Sequence, residues 1–508
     1  MATRAAECSD DAEKVTSSYG YVNGGYGTNS TTPLVASISQ KGINFTYEYD
    51  SRGNIISETR GNEEDGYLTT GYVYDVLGQL VRVNDPHENA TWIYNYDRGG
   101  NITSKVRYAY TTGSLGAVLE SVPYVYGDSN WKDKLTSYNG QTITYDAIGN
   151  PLNDGAWAFI WAAGRQLKKM VREDRTLDFK YDHNGMRIQK MLQHDWYPET
   201  TKYTYHGKLL THMTVDYTDW DEVAQQDKLH FFYDADGRIA KASYNGVIYT
   251  YIHNLQGDIV GLLDSAGALV VEYKYDVWGR LLSTTGSLAD TLGKRNPFRY
   301  REYVYDEETE LYYLDTRYYS STWMRFVSAD DYISTDPEND AIIQNNLYQY
   351  AVNNPVNRVE LDGQISASAV ANRYGARVLS TLLLAGRMSR WAALSKAAAM
   401  ITSIAPYLFF IAAAAAVIIV GVYLVKAAEL DRVKKKVSSR LKLKDGRVNI
   451  DLFNRKGPRG KGGAVFWLAK NGWRIIKDWD EHKGVYKLFD NLGRRIATLA
   501  QDGTILGK

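Results

Sequence analysis

A single cysteine, Cys8, stands among 508 residues. It excludes a disulfide scaffold and any zinc knuckle made from paired cysteines. Proline is scarce, at 10 residues, and neither charge sign prevails, with 59 Lys and Arg against 59 Asp and Glu. With 44% hydrophobic residues, such a chain is not intrinsically disordered. Met1 to Asp10 hold charges and no apolar run, so no secretory signal peptide is expected there and export would rest on another device. Tyrosine, by contrast, is abundant: 41 residues against 12 Trp and 12 Phe, beside 43 Gly. That pairing predicts many short strands joined by glycine turns, in a chain long enough for several domains.

The zero net charge hides a split. Residues 426–508 carry 21 Lys and Arg against 9 Asp and Glu, so the preceding 425 residues are acidic. A basic region of this extent on an acidic body predicts an anionic partner, nucleic acid or membrane; a solvated surface is the plainer alternative.

A five-residue signature, Tyr-Asp-x-x-Gly, recurs along the acidic part. Copies stand at Tyr49-Asp50…Gly53, Tyr74-Asp75…Gly78, Tyr96-Asp97…Gly100 and Tyr145-Asp146…Gly149. Three more are Tyr181-Asp182…Gly185, Tyr233-Asp234…Gly237 and Tyr275-Asp276…Gly279. Each ends an alternating stretch such as Phe45, Tyr47, Tyr49, and most are followed by an apolar strand such as Ile55-Ile56. The chemistry is that of a hairpin: the Asp bonds backbone two residues on, the Gly takes positive φ, and the flanks pair. One hairpin cannot bury its apolar face, so the units must stack into a continuous sheet. Tyr and Asp are therefore scaffold residues in every copy.

This spacing resembles the YD repeats of the RHS proteins, which wind a long β-sheet into a hollow shell. Residues 249–281, YTYIHNLQGDIVGLLDSAGALVVEYKYDVWGRL, are similar to the block preceding the RHS core. Residues 296–330 and 346–363 resemble the core itself, so the likeness spans roughly residues 40–363. Where that family has glycine or an Asp-Pro pair, this chain has Glu302, Glu310, Ser320-Ser321 and Met324. Losing glycine is costly wherever the backbone keeps φ > 0, so a somewhat degenerate core on an unchanged fold is expected.

In many such proteins the end of the core is an aspartyl self-cleaving site that releases a C-terminal toxin within the shell. Two carboxylates sharing a proton divide the roles of base and acid. The family's first Asp-Pro falls on Asp330, with Asp331 in the proline position. The second falls on Glu360-Leu361-Asp362-Gly363-Gln364. The resemblance makes Asp330, with Glu360 or Asp362, the candidate pair and puts cleavage close after Gln364. The alternative is a set of loop carboxylates at a plug that no longer cleaves.

From Ala397 to Val425 no residue is charged, a run long enough to span a bilayer as a helix. Lys426, Arg432 and Lys434–Lys436 follow it, while Arg387, Arg390 and Lys396 precede it, which blurs the orientation. A translocation segment that enters a target membrane is expected; a buried helix and a pore are the alternatives.

The basic region patterns as strands at Arg447–Phe453, Ala464–Leu468, Trp473–Trp479, Val485–Phe489 and Arg494–Leu499, with turn signals between them. Arg455, Lys456, Arg459 and Lys461 form a flexible basic arm that lacks P-loop spacing and suits phosphate contact. His482 lies among Asp480, Glu481 and Lys483. A histidine with carboxylates and cations supplies the base, acid and charge stabilisation that metal-free RNA cleavage needs; a mixed-charge surface turn would look the same. One histidine here cannot make a His-Cys zinc site, so no metal and no cofactor is expected. Residues 473–508 resemble the ribonuclease domain of cloacin-type colicins. The likeness puts the catalytic pair on Asp480 and His482, with Glu481 and Arg494 or Arg495 standing in for a Glu and a terminal Arg that this chain lacks.

The expected architecture is mainly β: a lead-in (1–40), YD repeats of a β-shell (41–295), a core or plug (296–364), a helical apolar segment (365–440) and a small antiparallel β domain (441–508). The resemblance implies the C-terminal portion of an RHS polymorphic toxin delivering a ribonuclease into competing cells. Its implied partners are an immunity protein, RNA (ribosomal RNA for the colicins), the target membrane in transit, and a secretion apparatus or upstream shell-capping chain. Such a protein works at the cell surface or in the target cytoplasm. A pore former acting through 397–425 and a non-toxic surface repeat protein are the competing readings.

Overall fold

The computed structural model describes residues 2–6, 15–24, 31–162, 164–194, 197–219, 221–330, 346–360, 363 and 366–368. Beyond these it describes 455–456, 466–468, 474–477, 486–489, 495–499 and 505–507. The chain divides into two units, Met1–Ala398 and Ala399–Lys508. The apolar run 397–425 lies outside the described residues, and among those described no helix is long and apolar enough to cross a membrane.

In the first unit the repeats build one antiparallel meander after another. A 12-stranded sheet runs from Ala2–Ala6 to Gln141–Thr142, and a 14-stranded sheet from Thr144–Tyr145 to Leu281–Thr285. Within each of these sheets every strand pairs with its neighbours in sequence, as short turns dictate.

The repeat turn explains each of its residues. Asp50 Oδ1 accepts from the amides of Arg52 (2.8 Å) and Asn54 (2.9 Å), and Gly53 sits at φ 83°. A bulge at Glu48/Tyr49 sets Tyr49 opposite Ile55. The tyrosine then reaches back one repeat. Tyr49 donates its hydroxyl to the Val35 carbonyl (2.7 Å), Tyr74 to Ile55 (2.6 Å), Tyr96 to Leu80 (2.6 Å) and Tyr275 to Ile259 (2.8 Å). Bulges disturb the ladder and leave backbone groups to be satisfied, and these hydroxyls supply donors next to them. Two further turns use the same Asp lock without a tyrosine. Asp264 accepts from Ala266 and Ala268, and Asp219 from Asp221 and Val223, with Glu222 at φ 61° where the repeat has glycine.

The two sheets share no ladder, yet they meet. Gln40 Nε2 donates to the His253 carbonyl (2.7 Å), the Leu255 amide donates to Tyr47 Oη (3.0 Å), Arg60 pairs with Glu272 (2.8 Å) and Arg280 with Glu88 (2.5 Å). The partners stand 192 to 213 positions apart, so the coil closes on itself along a seam of side chains. Glu58 lies in this seam, hydrogen-bonded by Gln256 (3.2 Å) and bordering a polar cavity of about 70 Å³ with Arg60, Asp258 and Arg301. Burial pushes its carboxyl up to about 7.

The core segment fills the space within. Its tyrosines Tyr300, Tyr303, Tyr312, Tyr319 and Tyr350 are buried and pack ring on ring, Tyr319 and Tyr350 stacking at 4.0 Å. Other core side chains bond the carbonyls of the repeat glycines. Asn354 donates to Gly78 (2.8 Å), Asn353 to Gly100 (2.7 Å), Tyr348 to Gly149 (2.9 Å) and Tyr312 to Gly279 (2.7 Å). A buried ion cluster pins the first core hairpin to the wall. Arg187 pairs with Asp306 (2.5 Å, both side chains at most 1% exposed), and Lys190 with Asp306 (3.2 Å) and Glu308 (2.7 Å). Burial opposes the charge on Asp306, but Arg187 and Lys190 outweigh it and hold the carboxyl below its ordinary range.

The lost glycines keep the backbone glycine would have: Glu302, Glu310 and Met324 sit at φ 59°, 57° and 57°. The surroundings hold them there. Glu302 is paired with Arg238 (3.3 Å), and Met324 is buried.

In the second unit a six-stranded antiparallel meander runs through Arg455–Lys456, Phe466–Leu468, Arg474–Lys477, Tyr486–Phe489, Arg495–Leu499 and Ile505–Gly507. Four of these fall within expected strands; Arg447–Phe453 lies outside the described residues. Arg455 and Lys456, expected in a flexible arm, are strand residues paired with Leu468 and Trp467. The hairpins after Phe489 and Leu499 repeat the shell's bulge, setting Phe489 opposite Arg495 and Leu499 opposite Ile505.

Candidate self-cleavage site and effector unit

Arg317 organises the end of the core. It follows a two-residue turn, Leu314 facing Arg317 across it, with Asp315 at φ 54°. Its guanidinium lies 3.5 Å from the Phe326 ring centre, which keeps the planar cation buried and oriented. Nη1 donates to the Leu347 carbonyl (2.9 Å), Nη2 pairs with Asp330 Oδ2 (3.1 Å) and Nε donates to the Gly363 carbonyl. One cation therefore ties the first candidate carboxylate to the backbone next to the expected cleavage point. The Asp330 amide also donates to Leu347 O (2.9 Å), fixing the same junction. Arg317 and Asp330 border a cavity of about 290 Å³ shared with Arg165, Tyr181 and Tyr318.

Glu360 is held differently. Its Oε1 accepts from the Ala351 amide (2.9 Å), where Ala351, Val352 and Asn353 run at φ 48°, 53° and 55°. Its own amide donates to Tyr303 Oη (3.0 Å), and that hydroxyl donates to the Glu360 carbonyl (2.7 Å). These bonds give Glu360 a structural task, bracing a left-handed turn. Asp362 lies outside the described residues. Arg317 went unassigned in the sequence because its partners come from three separate segments.

Of the effector candidates, Asp480, Glu481, His482, Arg494, Arg459 and Lys461 lie outside the described residues. The strands around them are described. The strands that flank His482 in sequence, Arg474–Lys477 and Tyr486–Phe489, pair antiparallel with Lys477 opposite Tyr486. Arg495, next to Arg494, pairs instead with Phe489 at the far end of that strand.

Residues 12–356 match the family described as Teneurin YD-shell. Over 295 residues the chain is 36% identical to the tRNA3(Ser)-specific nuclease WapA of Bacillus spizizenii, covering 57% of this chain and 12% of that protein. Teneurin-4 of Mus musculus is 22% identical over 324 residues, 61% of this chain and 10% of the relative. Among solved structures, the Photorhabdus luminescens Tc holotoxin pore aligns over 70% of this chain and 18% of its own, with 20% identity and a TM-score of 0.57. A TcdB2-TccC3 complex aligns over 69% of this chain and 19% of its own, with 20% identity and a TM-score of 0.53. These two share the fold. The chain spans about an eighth of the length of the WapA relatives it matches.

Proposed function

The chain belongs to the Teneurin YD-shell family, and from that premise we propose that it is an RHS-type toxin whose shell carries a nuclease effector into competing cells. The observation that supports this most is the 36% identity to proteins named as tRNA nucleases. A separate basic unit, built as a meander after the core, gives such an effector a place in this chain. RNA is the proposed substrate, cut without a metal. His482 serves as general acid or base, Asp480 and Glu481 assist it, and Arg494 with Arg455, Lys456, Arg459 and Lys461 neutralises phosphate. An immunity protein protects the producer, and residues 397–425 pass through the target membrane in transit. A secretion apparatus or shell-capping chain completes the delivery.

The test is RNA degradation by the full chain in EDTA. His482→Ala should lower it by roughly 10²–10⁴-fold, the usual contribution of one acid-base group. Undiminished cleavage in that variant refutes the assignment. Growth arrest that survives His482→Ala and comes with membrane depolarisation would favour the pore.

Release of the effector is proposed to follow self-cleavage close after Gln364, with Asp330 the participating carboxylate. Its link through Arg317 to Gly363 supports this reading. Intact mass should show two fragments for the parent and one for Asp330→Asn. A single full-length mass for both would remove the proposal.

A further inference from the structure

Two histidines face each other on the exposed side of the 14-stranded sheet. His212 lies in strand Leu209–Thr218 and His230 in strand Ala224–Tyr233, directly opposite in register. Both are exposed, and their ring centres are 4.5 Å apart at 64°. Two imidazoles sharing one ion at bonds of about 2.0–2.1 Å put their ring centres roughly 4.5–5 Å apart when bound side by side.

The tautomer of His212 is set by its neighbour. The Thr211 hydroxyl donates to the Thr204 carbonyl (3.1 Å), which uses its one hydrogen. Its contact with His212 Nδ1 (3.0 Å) must then be one it accepts. The neutral ring thus carries its hydrogen on Nδ1 and leaves a lone pair on Nε2, the arrangement by which a hydrogen-bonded second nitrogen orients a metal ligand. We propose that His212 and His230 form a solvent-open site for a borderline divalent cation of the first transition row, bound by two imidazoles and otherwise by water. Among the described residues no cluster of three or more His, Cys, Asp or Glu side chains is placed to hold a metal, so this is a two-ligand site. Its position gives it a use. The two strands are joined by the Asp219 turn, which lacks the repeat's tyrosine and has Glu222 in place of glycine. A bound ion would staple that hairpin.

The test is calorimetric titration of the untagged, EDTA-stripped full chain with CuCl₂, NiCl₂ and ZnCl₂. One site is expected, tightest for Cu²⁺ as imidazole sites generally are. His212→Asn and His230→Asn should each weaken that site at least tenfold. Thr211→Val, which keeps both rings, should weaken it roughly tenfold. Independently of any variant, the electron paramagnetic resonance of the parent with one equivalent of Cu²⁺ should show two imidazole nitrogens. A titration of the His212→Asn/His230→Asn double variant that superimposes on the parent's, or a spectrum with one nitrogen or none, overturns the proposal.

Discussion

Loss of Asp306 should be costly to the shell. It is shared by two cations, Arg187 and Lys190, and Lys190 has a second carboxylate in Glu308. Removing one partner of a buried pair costs about 3–5 kcal/mol, because the other charge stays behind unpaired. The cluster makes that cost lopsided. Asp306→Asn strands Arg187, which is fully buried and cannot lose its proton, so the full 3–5 kcal/mol is expected. In Arg187→Met, Asp306 keeps Lys190 at 3.2 Å, and the loss should be about half as large. The Arg187→Met/Asp306→Leu double variant should be less damaged than Asp306→Asn alone, since no buried charge is then unmatched. Urea unfolding of the full chain, followed by tryptophan fluorescence, ranks the three. Arg187→Met as damaging as Asp306→Asn, or a double variant worse than both, would refute the assignment of the cost to the stranded guanidinium.

Tyr74→Phe keeps the ring but leaves the Ile55 carbonyl without its 2.6 Å donor, and should lower stability by about 1–2 kcal/mol in urea melts. Glu310→Gly should do the opposite: an exposed side chain at φ 57° gives way to the residue that region favours, for a gain of about 1 kcal/mol visible as a raised thermal midpoint. Glu58 makes stability depend on pH. Its carboxyl titrates near 7 when folded, raised by burial and by Asp258 against the pull of Gln256, Arg60 and Arg301. The acid form is therefore favoured by folding, and its stabilisation is complete below the ordinary carboxylate range and lost as pH rises through 7. From pH 5 to 8 the parent should lose about 2.5 kcal/mol relative to Glu58→Gln; parallel pH profiles for the two proteins would count against this.

The repeat was legible because its chemistry is local. An Asp bonding two amides and a glycine at positive φ lie within five residues, so spacing alone exposes them. The turns at Asp219 and Asp264 escaped because they keep the Asp lock and drop the tyrosine that made the signature visible. Glu302, Glu310 and Met324 were legible as departures, but their retained left-handed backbone was not, since it depends on groups such as Arg238 brought in from elsewhere. Arg317 and Gly363 meet only after three segments have folded together, and His212 meets His230 only through a strand register no motif announces. In the basic region the turn signals located strands such as Tyr486–Phe489, whereas the glycines around Arg455 and Lys456 suggested a free arm and concealed a paired strand.

The seam gives the shell a mechanical direction. Along the coil each strand is laced to the next by backbone ladders, many bonds acting together. Between one winding and the next no ladder runs, and the two are joined by side chains such as Gln40, Arg60 and Arg280 and by the packed core they share. The wall is thus a wound ribbon, stiff along its length and weak between windings. A rupture at the seam breaks no ladder bond. Each rupture would release a loop of the order of two hundred residues with its sheet still intact.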